Sequence, residues 1–332
     1  MSPLLREERR FRQGWYQNLL QEMQIEEVGE FRNFLRMTPE MFQELLEGLR
    51  PAISKKDTNY RKAIPPEIRL AATLRYLATG CSTHDLKYGF RLGRSTATII
   101  IAKTCAAIID VFMDRFVVTP SDVDGWKEVA RQFHAKWNFE HVLGAIDGKH
   151  VHIRKPRKTG SMYFNYKKFH SIILLGVADA NCRFIYASCG SKGRAGDAGI
   201  YDGSNLKIAL ENGQLPIPPP EPLEHDRSGK RTTYFFIGDD AFACTPNMLK
   251  PINWARKRKT WEHEVFNYRL SRARRCIENA FGVLSHRFRV LLGTIQQEPK
   301  VAADIVIACV VLHNFLCDRR PEGVPAMPAL IR

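Results

Sequence analysis

The sequence predicts an α/β protein: a mixed sheet flanked by helices, preceded by an all-α region with a helix-turn-helix-like segment. Three observations predict it. Apolar residues recur at helical spacing through about residue 115. From residue 141 the rhythm changes to short apolar runs separated by turn residues. Two helices with apolar stripes then close the chain. The expected division is a helical region 1–140, with the helix-turn-helix-like segment at about 65–115, an α/β domain 141–318, and a tail 319–332.

In the helical region, Thr38-Pro39 sets an N-cap followed by proline at the first helical position, and Met41, Leu45, Leu46 and Leu49 follow at helical spacing. A second helix starts at Pro65-Pro66, runs through Ile68, Leu70, Leu74 and Leu77, and stops near Gly80. Ser82 with Asp85 three residues on forms a capping-box pattern, opening a short helix that ends at Gly89. After Gly93, Ser95 can cap a long helix through Ile99, Ala102, Ala106, Ile109 and Phe112. Short helix, glycine turn and longer helix make the helix-turn-helix layout, in which Arg94, Ser95, Thr96 and Thr98 would meet DNA. An ordinary helical bundle has the same pattern, and both readings stay open here.

In the second region, His141–Ile153 reads as a strand with a break at Asp147-Gly148, and His170–Ala178 as a strand covered on both faces. Phe184–Ala187 pairs with it as a hairpin through Asp179-Ala-Asn181. Ile200–Leu210 is a short helix, and the proline-rich stretch 211–230 is a loop. Thr232–Gly238 is a strand that ends at Asp239. Tyr268–Val290 is a long helix whose buried stripe is Leu270, Ala273, Ile277, Ala280, Phe281, Leu284 and Phe288, and Asp304–Leu316 is an apolar closing helix.

With 332 residues, 44% of them hydrophobic, the chain can bury a core for about two domains of roughly 150 residues each. This composition excludes a disordered chain, collagen or a coiled-coil rod. The formal net charge of +15 is concentrated: residues 141–290 carry 25 Lys/Arg against 13 Asp/Glu, while residues 1–140 carry 21 against 18. A concentrated basic field favours a polyanionic partner such as a nucleic acid, although a solvated basic surface would look the same. The eight cysteines form no CxxC pair, so free thiols in a reducing compartment are expected rather than a zinc ribbon or disulfide framework. Met1–Arg12 lacks an apolar signal-peptide core, and the longest apolar run, Ile305–Leu312, is eight residues where a membrane span needs about 20. The expectation is a soluble intracellular protein with no membrane partner. Its expected location is the nucleus, with the cytoplasm left open; Arg256-Lys257-Arg258-Lys259 is the one compact basic run.

Three acids stand where acids are costly. Asp147 follows Leu143-Gly-Ala-Ile146, Asp239 follows Phe235-Phe236-Ile237-Gly238, and Glu278 lies beside Ile277 at the edge of a buried stripe. An unpaired buried carboxylate carries a heavy desolvation penalty, so either arginines or cations must balance the three. Mg²⁺ or Mn²⁺ takes oxygen ligands, and two such ions can activate a water and stabilise a leaving phosphodiester oxygen. Taken singly, Asp147-Gly148 also reads as a turn, Asp239-Asp240 as a strand end, and Glu278 as an i, i−4 ion pair to Arg274.

As a set the stretches Gly144-Ala-Ile-Asp-Gly-Lys-His150, Tyr163-Phe-Asn-Tyr-Lys167, Ile237-Gly-Asp-Asp-Ala-Phe242, Arg274-Arg-Cys-Ile-Glu-Asn-Ala-Phe-Gly282 and Leu312-His-Asn-Phe315 resemble the DDE nuclease domain of the PIF/Harbinger transposases and the nucleases derived from them. The resemblance covers about residues 141–316, and the helical region before it resembles the helix-turn-helix segment of the same family. It implies an RNase H-like fold, with Asp147 on the first strand, Asp239 after the fourth and Glu278 on a later helix as the metal-binding catalytic triad. Asp239 rather than Asp240 is the implied acid, because the family's acid directly follows the strand's glycine. The sequence departs from the family at Asp240, where relatives often have Ser or Glu, and at Ala243-Cys-Thr-Pro246. The resemblance also implies a separate Myb/SANT-like DNA-binding partner; self-association is left open.

Other residues fill in the expected site. Lys149, Arg154, Lys155, Arg157, Lys158, Lys167 and Lys168, interleaved with Tyr163, Phe164 and Tyr166, suit a groove for DNA strands or else a plain solvated face. Arg274 and Arg275 add to it from the long helix. Asp197 would shape the site or cap the next helix; His150 and His152 suit core or DNA-backbone roles better than ligation of hard Mg²⁺. His313 reads as a core histidine. The expected activity is a metal-dependent DNA endonuclease, transposase or host-derived, in which water or a 3′-hydroxyl attacks phosphorus in line with no covalent protein intermediate. Two alternatives remain: a catalytically silent DNA-binding or complex-forming nuclear protein, and an RNA-directed nuclease on the same fold.

Overall fold

The computed structural model describes residues 7–59, 61–224, 226–253 and 260–319, so the 256–259 basic run and the tail from residue 320 lie outside the described residues. The chain opens with α1 (Glu7–Gln13), a π-helical turn (Tyr16–Leu20), α2 (Gln21–Ile25), α3 (Val28–Leu35), α4 (Pro39–Ile53), α5 (Pro66–Thr79), α6 (Thr83–Gly89) and α7 (Arg94–Phe116). Local chemistry sets the boundaries. The Thr38 hydroxyl accepts from the Met41 amide at 3.4 Å, with Pro39 opening α4. Gly80 closes α5 in the left-handed conformation, φ 66°. Ser82 Oγ accepts from the Asp85 amide at 3.2 Å while Asp85 Oδ2 accepts from the Ser82 amide at 2.9 Å, completing the capping box of α6. The expected Ser95 cap is corrected: α7 already starts at Arg94, because the Gly93 carbonyl accepts from Ala97 at 2.8 Å, so Ser95 lies inside the first turn.

The chain continues through α8 (Val123–Trp137), β1 (Val142–His152), β2 (Ser171–Ala178), β3 (Phe184–Lys192), α9 (Asp197–Asp202), α10 (Asn205–Glu211), β4 (Glu221–Pro222), β5 (Arg231–Thr232), β6 (Phe235–Ile237), β7 (Met248–Leu249), α11 (Trp261–Arg287), a 3-10 turn (Arg289–Leu292) and α12 (Pro299–Asp318). Several expected boundaries move. β1 runs unbroken through Asp147-Gly148, since its ladder tolerates a glycine that a turn would also favour. The expected helix 200–210 is two helices, re-capped at Ser204, whose hydroxyl accepts from the Lys207 amide at 3.2 Å. Thr232–Gly238 shrinks to β6, and residues 221–222 and 231–232 pair with each other instead. α11 begins before Tyr268, at Trp261, and α12 before Asp304, at Pro299.

By contact, the chain divides into two compact units. One comprises residues to Phe116 with His152–Arg154 and Leu284–Leu316; the other comprises Val117–Val151, Lys155–Val283 and residues from Cys317. The grouping differs from a division at residue 140. α8 belongs with the sheet because Trp126 and Ala130 lie in the sheet's core, Trp126 meeting Phe236 edge-on with ring centroids 5.7 Å apart. α12 belongs with α7, where the Asn314 side-chain amide donates to the Phe116 carbonyl at 2.7 Å and Phe315 packs edge-on against Phe116. Phe315 and its neighbour His313 are buried. By length and composition α7 and α12 could each cross a membrane, which the count of eight consecutive apolar residues understates. In the helical unit α12 is a core helix, its residues from Ile305 to Leu316 almost continuously buried.

The second unit is built on a mixed five-stranded sheet in the order β3-β2-β1-β6-β7, with β2/β3 antiparallel and β1/β6 and β6/β7 parallel, an RNase H-like arrangement. Every residue of β2 is buried, as its unbroken apolar run requires for a strand covered on both faces. The stripe Leu270, Ala273, Ile277, Ala280 and Phe281 of α11 is buried, Phe281 lying against Phe184 of β3 at 5.6 Å between centroids. All eight cysteines are free, and three of them, Cys105, Cys276 and Cys309, are buried.

Candidate metal centre

β1 leaves the core at Asp147: Val142–Ile146 are buried, and Asp147 to His150 are half-buried. Asp147 is therefore not at a strand end, as the apolar run suggested, but at the point where a longer strand emerges. In the parallel pair β1/β6, Ala145 stands opposite Ile237. Asp147 and Asp239 each follow that pair by two residues, Asp147 still on β1 and Asp239 just past the end of β6. The Gly238 amide donates to the Leu249 carbonyl at 2.9 Å, holding the chain to β7 just before Asp239. Asp147 Oδ1 accepts from the Gly148 amide at 2.8 Å, and Asp239 Oδ1 from the Ala241 amide at 3.0 Å.

A third carboxylate joins them. Oxygen atoms of Asp147, Asp197 and Asp239 lie within 4.8 Å of one another. Asp197 is the first residue of α9, whose N-cap is Gly196, and it makes no side-chain cap. It can approach because residue 148 is glycine: a Cβ there would stand 2.1 Å from Asp197 Oδ1. Like charges this close oppose ionisation, and burial adds to the effect. Burial pushes Asp147 up to about 6; the Gly148 amide and Arg274 pull against it, and the charges of Asp239 and Asp197 add to it. Asp197 is raised by burial and by Asp239, against the pull of Lys167. Lys149, on the same strand face as Asp147, is lowered by burial and by Lys167.

This set fits a divalent cation. Asp197 Oδ1 is buried without a hydrogen-bond partner among the described residues, and three hard carboxylate oxygens in one spot are the donor set that Mg²⁺ or Mn²⁺ takes. A cation there would satisfy the orphaned oxygen and remove the mutual repulsion.

Glu278 is not in this group. Its side chain is 54% exposed and stands 3.7 Å from Arg274, which is only 15% exposed. Arg274 acts on Asp147 and so links Glu278 to the cluster through a guanidinium. Asp240 is also outside, paired with Lys250 at 3.2 Å. The acid that sequence reasoning underrated is Asp197. Its only local signal is the segment Gly193-Arg-Ala-Gly-Asp197, and its place depends on the β2–β3 hairpin, to which Gly193 is tied by its amide donating to the Ser171 carbonyl at 3.0 Å.

The expected basic residues separate. Lys149, Lys167 and Arg274 act on the carboxylates; Lys168 and Arg275 are exposed in the same unit, as is Lys155. By contact Arg154 is grouped with Arg94, Ser95 and Thr96 in the helical unit; its amide donates to the Ile295 carbonyl at 3.0 Å. His150 points to the strand face opposite Asp147, where Nδ1 lies 2.9 Å from Ser171 Oγ. Burial lowers the pKa of His152.

Residues 146–314 match the DDE superfamily endonuclease family. The chain is 25% identical over 283 residues to proteins named "Putative nuclease HARBI1" of Bos taurus and Homo sapiens, covering 83% of this chain and 74% of theirs. The Xenopus laevis protein of the same name is 24% identical over 283 residues, 83% of this chain and 75% of its own length. No solved structure matches the chain at a comparable level of significance.

Proposed function

We propose, from the premise that this chain belongs to the DDE superfamily endonuclease family, that it is a metal-dependent DNA endonuclease whose cation site is made by Asp147, Asp197 and Asp239. The observation that carries the reading is the convergence of these three carboxylates within 4.8 Å beside an orphaned carboxylate oxygen. A bound Mg²⁺ or Mn²⁺, singly or as a pair, would activate water and stabilise the leaving oxygen of a phosphodiester. Asp147 holds the site from β1 and Asp239 from just past the end of the paired β6, Asp197 enters over Gly148, and Arg274 tempers the charge from α11. Glu278, the third acid implied by the family motif, belongs to the proposal as an outer carboxylate steered by Arg274. Lys149 and Lys167 face the acids and would receive the substrate phosphates, with Lys155, Lys168 and Arg275 along the approach. A nuclear location and a Myb/SANT-like targeting partner come with this reading through the family resemblance.

The exposed, ion-paired state of Glu278 favours a second reading, a catalytically silent DNA-binding protein on the same fold. Plasmid nicking with Mg²⁺ or Mn²⁺ separates the two. The endonuclease reading expects metal-dependent nicking that Asp147→Asn and Asp239→Asn each lower by about a thousandfold or more. Robust metal-dependent nicking that survives Asp147→Asn, Asp239→Asn and Glu278→Gln alike would overturn the site assignment. Salt-sensitive DNA binding with no cleavage under any divalent cation would establish the silent reading instead.

A further inference from the structure

We propose that Asn165 and Ser171 are positioning residues: through a buried hydrogen-bond node at the Ser171 hydroxyl they set Asp197, and Lys167 with it, against the cation site. Both are buried, Ser171 completely and Asn165 to 4% exposure. Ser171 Oγ lies 2.9 Å from His150 Nδ1 and accepts from the Asn165 side-chain amide at 2.9 Å. The same amide nitrogen stands 3.4 Å from His150 Nδ1. Elimination fixes the directions of these bonds. Asn165 Oδ1 accepts from the Phe169 amide at 3.2 Å, so Nδ2 is the end that faces the serine. The serine hydrogen is then left for His150 Nδ1, which puts the imidazole's own proton on Nε2. Buried polar groups rigidify a structure when every one is paired, and here each member has a partner.

The node joins separate stretches of the chain. His150 brings in β1, on the face away from Asp147. Asn165 brings in the loop 165–169, which carries Lys167. Its amide donates to the Phe169 carbonyl at 2.9 Å, its carbonyl accepts from the Lys168 amide at 3.1 Å, and Lys168 takes the left-handed conformation at φ 66°. Ser171 brings in the segment that leads to Asp197. Its carbonyl accepts from the Gly193 amide at 3.0 Å, and the Arg194 amide donates to the Met162 carbonyl at 3.3 Å. A Cβ on Gly193 would stand 2.3 Å from Ser171 Oγ and 2.7 Å from the Tyr163 carbonyl oxygen, so bare backbone lies against the hydroxyl itself. From there the chain runs to Asp197 at the start of α9. Backbone pairing alone would close the 165–169 loop; the side-chain node fixes its angle to β1 and to the 193–197 segment. Asp197 depends on such support, since it makes no side-chain cap of its own. Lys167 ends close enough to pull on Asp197 and to oppose the charge of Lys149.

The role given to Asp197 rests on the cation-site reading, but the first measurement needs no metal. Hydrogen exchange of the full-length protein in EDTA is followed by mass spectrometry over residues 163–170 and 193–197. Ser171→Ala is expected to speed exchange about fivefold or more in both segments while α8 keeps the rate of the parent. Mn²⁺ affinity is then measured by calorimetry. Ser171→Ala and Asn165→Ala should each lower it about tenfold, the scale of losing a group that orients a metal ligand. His150→Asn puts an Oδ1 near the place of Nδ1, where it can accept from the serine, and should stay within about threefold of the parent. In an Asp197→Asn background, Ser171→Ala should cost less than about a further twofold, because the residue through which it acts is gone. Faster exchange in 163–170 alone, full affinity in Ser171→Ala, or the same loss with and without Asp197 would overturn the proposal. Failure of the cation-site reading looks different: Asp147→Asn would bind Mn²⁺ as tightly as the parent, while exchange in EDTA would still show whether the node holds both segments.

Discussion

Where β1 emerges from the core, three half-buried acids crowd within 4.8 Å, and one oxygen of Asp197 has no hydrogen-bond partner among the described residues; in the helical unit, three arginines line an open cleft of about 580 Å³ with no acid among them. Both are clusters of like charge, yet they impose different penalties on the fold. Exposed guanidiniums are screened by water and salt, so gathering them costs little and leaves them available to a polyanion. Half-buried carboxylates lose hydration and repel one another in a medium of lower polarity, so they bind protons more tightly and call for a counter-ion from outside the chain. Burial, more than the number of charges, separates a surface that attracts a ligand from a site strained without one.

Three measurements sharpen or break that contrast. The largest effect is expected at Gly148, where a methyl group would collide with Asp197 Oδ1. Gly148→Ala should lower Mn²⁺ affinity by about ten- to a hundredfold, read by calorimetry, while circular dichroism stays that of the parent. Unchanged Mn²⁺ affinity would remove Asp197 from the ligand set and leave the cluster no more than a crowded corner.

Next is the pH dependence of cation binding. Asp147 titrates at about 6, and a ligand carboxylate must lose its proton first. Mn²⁺ affinity should hold above pH 6 and fall by about tenfold for each pH unit below it. A flat profile between pH 7 and 5 would mean that Asp147 is not a ligand.

The smallest effect concerns stability without metal. The folded-state pKa of Asp147 lies above its ordinary value of 3.8, so its contribution is most favourable below pH 3.8 and is lost as pH rises through about 6. Asp147→Asn should therefore stabilise the metal-free protein near neutral pH, by roughly 1–3 kcal/mol, or a few degrees in Tm, and bring no gain at pH 4. Equal gains at both pH values would point to packing instead of charge.

What could be read from the residues depended on how local the cause was. The capping box at Ser82 and Asp85, the Thr38-Pro39 start and the Gly80 stop are settled within four residues, and the structure follows them. β2 was legible because a strand covered on both faces must be apolar throughout. Asp147 and Asp239 were legible because an acid right after an apolar run is conspicuous. Asp197 was not: it lies at the start of a six-residue helix, and only the packing of the hairpin before it and the bare backbone of Gly148 bring it to the others. Sequence proximity sets Arg154 among the basic residues after Asp147, and its backbone bond to Ile295, far along the chain, could not be read from the sequence. The strand break expected at Asp147-Gly148 failed for a similar reason, since glycine there makes room for a carboxylate and does not turn the chain.

The Ala145–Ile237 partnership has one more consequence. Sliding β6 past β1 by a single position would turn every β6 side chain to the reverse side and carry the chain end that bears Asp239 one residue out of step with Asp147, leaving its identity untouched. Adding or deleting one residue between Phe235 and Asp239 would thus disarm the centre as thoroughly as erasing the acid. The count of residues in that short stretch is as much a part of the chemistry as the aspartate that ends it.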